Sequence, residues 1–106
     1  MISELTAAQV AARLEATPAP QLIDVREPWE WDVARLPGAR LVPLATLPGA
    51  LAGLEPALET IVYCHHGVRS MHACRFLAQA GFVHLANLAG GIDAWSAQVD
   101  SAVARY

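Results

Sequence analysis

Val10 and Leu14, with alanines between them, recur at helical spacing behind Thr6-Ala7-Ala8-Gln9. That tetrad is a capping box, in which the threonine hydroxyl and the glutamine amide satisfy backbone donors of a first helical turn. Leu5 and Val10 complete a hydrophobic staple, and Thr17-Pro18-Ala19-Pro20 ends the helix because proline cannot continue it. Leu22-Ile23-Asp24-Val25 is a short apolar run between turn residues, the pattern of a buried strand. Glu27-Pro28-Trp29-Glu30-Trp31-Asp32-Val33 reads as a brief helix with Pro28 at its first position, closed by Leu36-Pro37-Gly38, and a further strand is expected over 39–42. Residues 44–59 mix helical periodicity with Pro48 and Pro56, which leaves either one short helix or two fragments. The spacing then predicts the clearest strand over 60–63, a loop over 64–68 and a helix over 69–80 ended by Gly81. A last strand over 83–88, a tight turn at Gly90-Gly91 and a closing helix over 92–98 complete the chain.

Strands separated by helical segments predict βαβ units, hence an α/β fold with a mostly parallel sheet and helices on both faces. The length, 106 residues, leaves room for one hydrophobic core, so 1–106 is read as a single domain. With 55% hydrophobic and 16% charged residues, the chain can bury such a core and does not resemble a disordered one. Arg, Glu, Pro or Gly interrupts every apolar stretch before the roughly 20 residues a bilayer requires, so no membrane span is expected. The opening Met1-Ile2-Ser3-Glu4-Leu5 lacks the basic and apolar regions of a secretory signal, which predicts a cytoplasmic protein whose two cysteines stay reduced. Seven arginines, no lysine and a net charge of -3 make neither a basic stripe for nucleic acid nor a polybasic membrane anchor. Oligomeric state leaves no signal.

Cys64 ends the clearest strand and precedes a helix, the place where parallel sheets carry their sites. A thiol nucleophile works as its thiolate, and cysteines before helices are activated because free amides and the helix dipole favour negative sulfur. Residues 65–69 offer consecutive backbone N–H groups, and Gly67 allows the loop to curl, so Cys64-His65-His66-Gly67-Val68-Arg69-Ser70 can form a nest around an anion. Arg69 would add a cationic fork suited to an oxyanion such as a sulfonate, and Ser70 would cap the helix. This chemistry requires that the loop amides face the sulfur and that the side chain is not sealed in the interior. The competing reading makes Cys64 a small buried hydrophobe at a strand end.

Cys74 lies on the apolar stripe of the same helix and reads as packing, with a resolving thiol as the alternative. Cys64, His65, His66 and His72 do not have metal-ligand spacing, so no metal is expected. His65 and His66 belong to the rim of the nest or contact substrate, unless they are merely solvated, and His72 and His84 read as structural.

Three blocks of the sequence resemble the rhodanese family across essentially the whole chain. Leu22 through Pro28 with Glu30 and Leu36-Pro37-Gly38-Ala39 is similar to its amino-terminal signature, Tyr63-Cys64 through Ser70 to its active-site loop, and Leu88-Ala89-Gly90-Gly91-Ile92-Asp93-Ala94-Trp95 to its carboxyl-terminal signature. The resemblance implies a five-stranded parallel sheet with flanking helices, and no cofactor. It also implies a cycle in which the cysteine takes a sulfane sulfur from a small sulfur-anion donor such as thiosulfate, becomes a persulfide and passes the sulfur to a thiol, cyanide or thioredoxin-like acceptor. Asp24 and Arg26 resemble residues that bracket the active loop, and a structural ion pair is the alternative. Glu27 and Glu30 read as solvated charges, Trp95 as core, and Trp29 and Trp31 as a docking surface or as packing.

Ala34-Arg35 stands where family members often have Gly-His, a departure expected to have only structural consequences. The loop is Cys-x4-Arg, one residue shorter than the Cys-x5-Arg loop of related phosphatases, and the smaller ring suits a single persulfide sulfur better than a tetrahedral phosphate. A non-catalytic binding or sensor module using the cysteine pocket, and a phosphatase or arsenate reductase, are the readings that compete with the sulfurtransferase.

Overall fold

The computed structural model describes all residues, 1–106. Five strands, β1 (Ile2–Leu5), β2 (Gln21–Asp24), β3 (Arg40–Leu41), β4 (Thr60–Tyr63) and β5 (Leu85–Leu88), form one sheet in the order β1-β5-β4-β2-β3. Every pairing is parallel. Helices α1 (Ala7–Leu14), α2 (Pro28–Val33), α3 (Leu47–Ala50), α4 (Val68–Gln79) and α5 (Gly91–Gln98) connect and cover it. Side chains alternate along each strand, so the sheet builds two cores. Ile23, Val62, Cys64 and Leu85 pack with Leu47, Ala73, Cys74 and Leu77 on the side of α3 and α4. Leu22, Ile61, Tyr63, Ala86 and Leu88 pack with Val10, Ile92 and Trp95 on the side of α1 and α5. Both faces of β4 are therefore buried, which explains why Ile61, Val62 and Tyr63 follow one another without a polar alternate.

The capping box at Thr6 and Gln9 forms as read, and Leu5 and Val10 meet in one cluster. Residues 44–59 hold more pieces than expected: 3-10 turns at Leu44–Thr46 and Leu51–Gly53 flank α3. Glycine does not separate the last turn from its helix, because α5 begins at Gly91 itself. The strand missed altogether is β1. Its ends are half-buried and its middle is exposed, so it has no strong apolar period, and it exists because Ile2 through Leu5 pair with Leu85 through Leu88.

The chain runs outward from β2 to β3 and then returns to place β4 on the other side of β2. The carboxyl end of β4 thus lies at the point where the winding reverses, where a parallel sheet leaves a crevice. Cys64 follows β4 there.

Candidate active site

At the carboxyl end of β4 the chain passes through Cys64, His65 and His66 and enters α4 over Gly67, which has a φ of 105° that only glycine adopts without strain. This turn aims two amides at the sulfur: Gly67 N–H donates to Cys64 Sγ at 3.1 Å and Ser70 N–H at 3.4 Å. The amides of His65, His66, Val68 and Arg69 have no partner within the chain, so the rest of the nest offers free donors at a helix start. Ser70 does not cap the helix. It is buried in the first turn, with its hydroxyl 3.3 Å from Sγ and donating to Asn87 Oδ1.

Of the two conditions set by the sequence, the loop amides do face the sulfur, but the Cys64 side chain is only 1% exposed, so the sulfur lies on the floor of the loop and the expected open access is absent. Burial alone would make it a core thiol, and Cys74 shows the contrast. Cys74 is equally buried, has only a 3.8 Å contact to the carbonyl of Ala86, and burial pushes its pKa up to about 12. Both thiols are free, but only Cys64 faces amide donors. His65 and His66 stack with ring centroids 3.9 Å apart on the rim, His65 half-buried and His66 exposed. Burial and the neighbouring His66 lower the pKa of His65. His72 and His84 are surface side chains, contrary to a structural reading, because α4 and the turn before β5 point them outward.

The loop is held from below by α5. Ile92 N–H donates to the carbonyl of Cys64 at 2.9 Å and Asp93 N–H to that of His65 at 3.2 Å, so one helix start grips the backbone of the other. Asn87, on β5, donates from Nδ2 to the carbonyl of Gly67 at 3.1 Å and to Glu4 at 2.6 Å. The sequence signal for Asn87 was a single amide in an otherwise apolar strand, on the same side as Leu85.

Arg69 stands beside the nest but does not offer an empty fork. Glu30 takes both of its terminal nitrogens, at 2.6 and 2.9 Å, and is itself buried, not solvated. Burial pushes the carboxyl of Glu30 up, but hydrogen bonds from Arg69, the Glu27 amide and the Tyr106 hydroxyl outweigh it and hold the pKa at about 2. Tyr106 also lies flat on His65, at 3.9 Å and 11°, and accepts from Arg26 at 2.8 Å. Nothing local in the sequence marked Tyr106. Asp24 and Arg26 form a fully buried ion pair at 2.7 Å whose remaining bonds go to the carbonyls of Glu30 and Ala34 and to Tyr106, so neither touches Cys64 or its loop. The exposed Trp29 meets Tyr106 edge-on, while Arg35 covers the ring of Trp31.

The model of the Rhodanese-like domain matches residues 6–98. A sulfurtransferase of Allochromatium vinosum is 32% identical over 96 residues, 91% of this chain and 90% of that protein. The rhodanese-like/PpiC domain-containing protein 12 of the Arabidopsis thaliana chloroplast is 41% identical over 81% of this chain, which spans only 30% of that longer relative. Among solved structures, a rhodanese-like domain protein of Staphylococcus aureus superposes with a TM-score of 0.84 and 26% identity, covering 98% of both chains. From the order of the strands to the turn at Gly67, the fold and the sequence agree that this chain belongs to the rhodanese-like domain family.

Proposed function

We propose that the chain is a sulfurtransferase in which the Cys64 thiolate carries a sulfane sulfur from thiosulfate or a similar donor to a thiol, cyanide or a reduced thioredoxin-like acceptor. The observation that supports this reading most directly is the pair of amides, Gly67 and Ser70, on an otherwise buried Sγ. Thiolate attack on the outer sulfur of thiosulfate breaks its S–S bond, releases sulfite and leaves a Cys64 persulfide; acceptor attack on the outer sulfur of that persulfide regenerates the thiolate. The incoming sulfur carries the negative charge of the persulfide, and the unpaired amides of His65, His66, Val68 and Arg69 are the donors available to it. A cycle that begins from a thiolate fits two unpaired cysteines and a reducing, cytoplasmic setting.

Incubation with excess thiosulfate or an organic persulfide, followed by intact mass measurement, tests the reading. The expected result is a gain of one sulfur, absent in Cys64→Ser and removed by cyanide or dithiothreitol. A Cys64→Ser protein that still accumulates the adduct overturns it, as does a folded wild type whose Cys64 resists both donors and iodoacetamide. Hydrolysis of a phosphate monoester without persulfide formation would instead identify a phosphatase.

A further inference from the structure

Three hydrogen bonds in series join the buried sulfur to the surface of the edge strand: Ser70 Oγ lies 3.3 Å from Cys64 Sγ and donates to Asn87 Oδ1 at 2.5 Å, and Asn87 Nδ2 donates to Glu4 Oε1 at 2.6 Å. Glu4 and Asn87 are register partners on β1 and β5, which puts their side chains on one face of the sheet. Ser70 and Asn87 are buried, and Glu4 is exposed.

The series has a direction. Asn87 Nδ2 also donates to the carbonyl of Gly67 at 3.1 Å, and two acceptors can be met only by the NH2 end of an amide. Oδ1 therefore faces Ser70, whose hydroxyl must donate to it, since an amide oxygen has no proton to give. With its proton engaged there, Ser70 Oγ turns a lone pair toward Cys64, which accepts from S–H and repels a thiolate. The Gly67 and Ser70 amides pull the other way, toward negative sulfur.

We infer that Glu4 is a positioning residue for Cys64: its charge, passed through Asn87 and Ser70, holds the sulfur as the thiol. The carboxylate polarises the Asn87 amide, which strengthens Oδ1 as an acceptor and keeps the Ser70 proton on it. On ionisation the S–H proton leaves to solvent, and the Ser70 hydroxyl must give up Asn87 to reach the sulfur. The other ionisable groups around Cys64 are tied elsewhere. Arg69 on α4 is forked onto Glu30 of α2, Arg26 after β2 onto Asp24, and Arg105 onto Asp93 of α5, while His65 at the rim has its charged form disfavoured by burial. Cys74 on α4 is neutral, pushed up to about 12 by burial first and by the charge of Glu4 second, which shows that this charge is felt in the interior. Glu4 alone among them reaches Sγ along an unbroken line of side-chain hydrogen bonds. For sulfur transfer the inference rests on the proposed function, in which it makes Glu4 a brake on loading at neutral pH.

The test follows the rate of iodoacetamide alkylation against pH in wild type, Glu4→Gln, Ser70→Ala and the double variant, read by peptide mass so that Cys64 is scored apart from Cys74. Glu4→Gln keeps an acceptor for Asn87 and removes only the charge. Its midpoint for Cys64 should fall by about 0.5 to 1 pH unit, and sulfur loading below the midpoint should rise by about three- to tenfold. With Ser70→Ala already in place the same substitution should move the midpoint by less than about 0.2 unit, because the link is cut. An unmoved or raised midpoint in Glu4→Gln overturns the inference. Equal shifts with and without Ser70 also overturn it, since the charge would then act through space. Should Ser70→Ala not fold, a Glu4→Gln shift that persists at about 0.5 M salt supports the bonded route, and one that vanishes there overturns it. A wild type that alkylates at Cys64 but takes sulfur from neither thiosulfate nor cysteine persulfide defeats the sulfurtransferase reading, and the alkylation profiles still decide the role of Glu4.

Discussion

A Cβ on Gly91 would lie 2.3 Å from the carbonyl oxygen of His65 and 2.5 Å from that of Cys64. Those are backbone atoms, so no side chain can move aside, and the φ of 63° at Gly91 adds strain for any other residue. The close approach is what lets Ile92 and Asp93 hold the loop from below. Gly91→Ala is expected to cost about 3 kcal/mol or to prevent folding, seen as a fall in Tm of more than about 10 °C. A near-neutral effect would show that the contact between α5 and the loop is looser than the structure has it.

Asn87 is the other tie on the loop, joining Ser70, the carbonyl of Gly67 and Glu4. Asn87→Ala removes the oxygen acceptor of the buried Ser70 hydroxyl, which keeps only Cys64 Sγ at 3.3 Å, and one of the two donors to the Gly67 carbonyl, which keeps Met71 N–H at 3.3 Å, with an expected loss of about 1–2 kcal/mol in urea unfolding. The Gly67 amide should also lose its fixed aim at Cys64, so iodoacetamide alkylation and sulfur loading should both change in rate. Wild-type rates at reduced stability would confine Asn87 to a structural role.

Glu30 makes stability depend on acid. Its carboxyl is held at about 2 in the folded chain, below its usual 4.5, so its contribution is complete above about pH 4.5 and is lost as the pH falls toward about 2. The unfolding free energy of wild type should exceed that of Glu30→Gln by about 2 kcal/mol at neutral pH, with the difference closing over that acid window. A difference independent of pH would mean that shape, not charge, holds Glu30 in place.

Asp24 and Arg26 are both fully buried, so removing one charge strands the other. Asp24→Asn is expected to destabilise by about 3–5 kcal/mol. Loading of the fraction that remains folded in the cold should change little, because the pair has no contact with the loop. A large drop in loading by fully folded protein would restore a direct role for the pair.

Local patterns carried much of the fold. Thr6 and Gln9, Pro28 and the apolar run of β4 announce their elements because caps, proline geometry and burial on both faces act within a few residues. The sequence also marked the order of strand, cysteine, glycine turn and helix around Cys64, since the left-handed turn at residue 67 is a local backbone need. Between Leu44 and Gly53 local periodicity was a poor guide, because each piece is a single turn closed by its own bonds, such as Thr46 N–H to the Pro43 carbonyl and Leu54 N–H to that of Leu51, too short to show a period.

Other features depended on partners far along the chain. Strand β1 forms only against β5, some eighty residues later, and Asn87 gains its role only when β5 lies beside the loop. Sequence alone made Glu30 a solvated charge and Arg69 a free fork; their 39-residue separation hid the ion pair that cancels both. Tyr106 likewise meets His65, Glu30 and Arg26 only because the last residues fold back over the site. Residue types and short-range geometry determine which groups can supply a thiolate and its amides. Which charges remain free to meet a substrate is set by through-space neighbours, and only the tertiary structure brings those together.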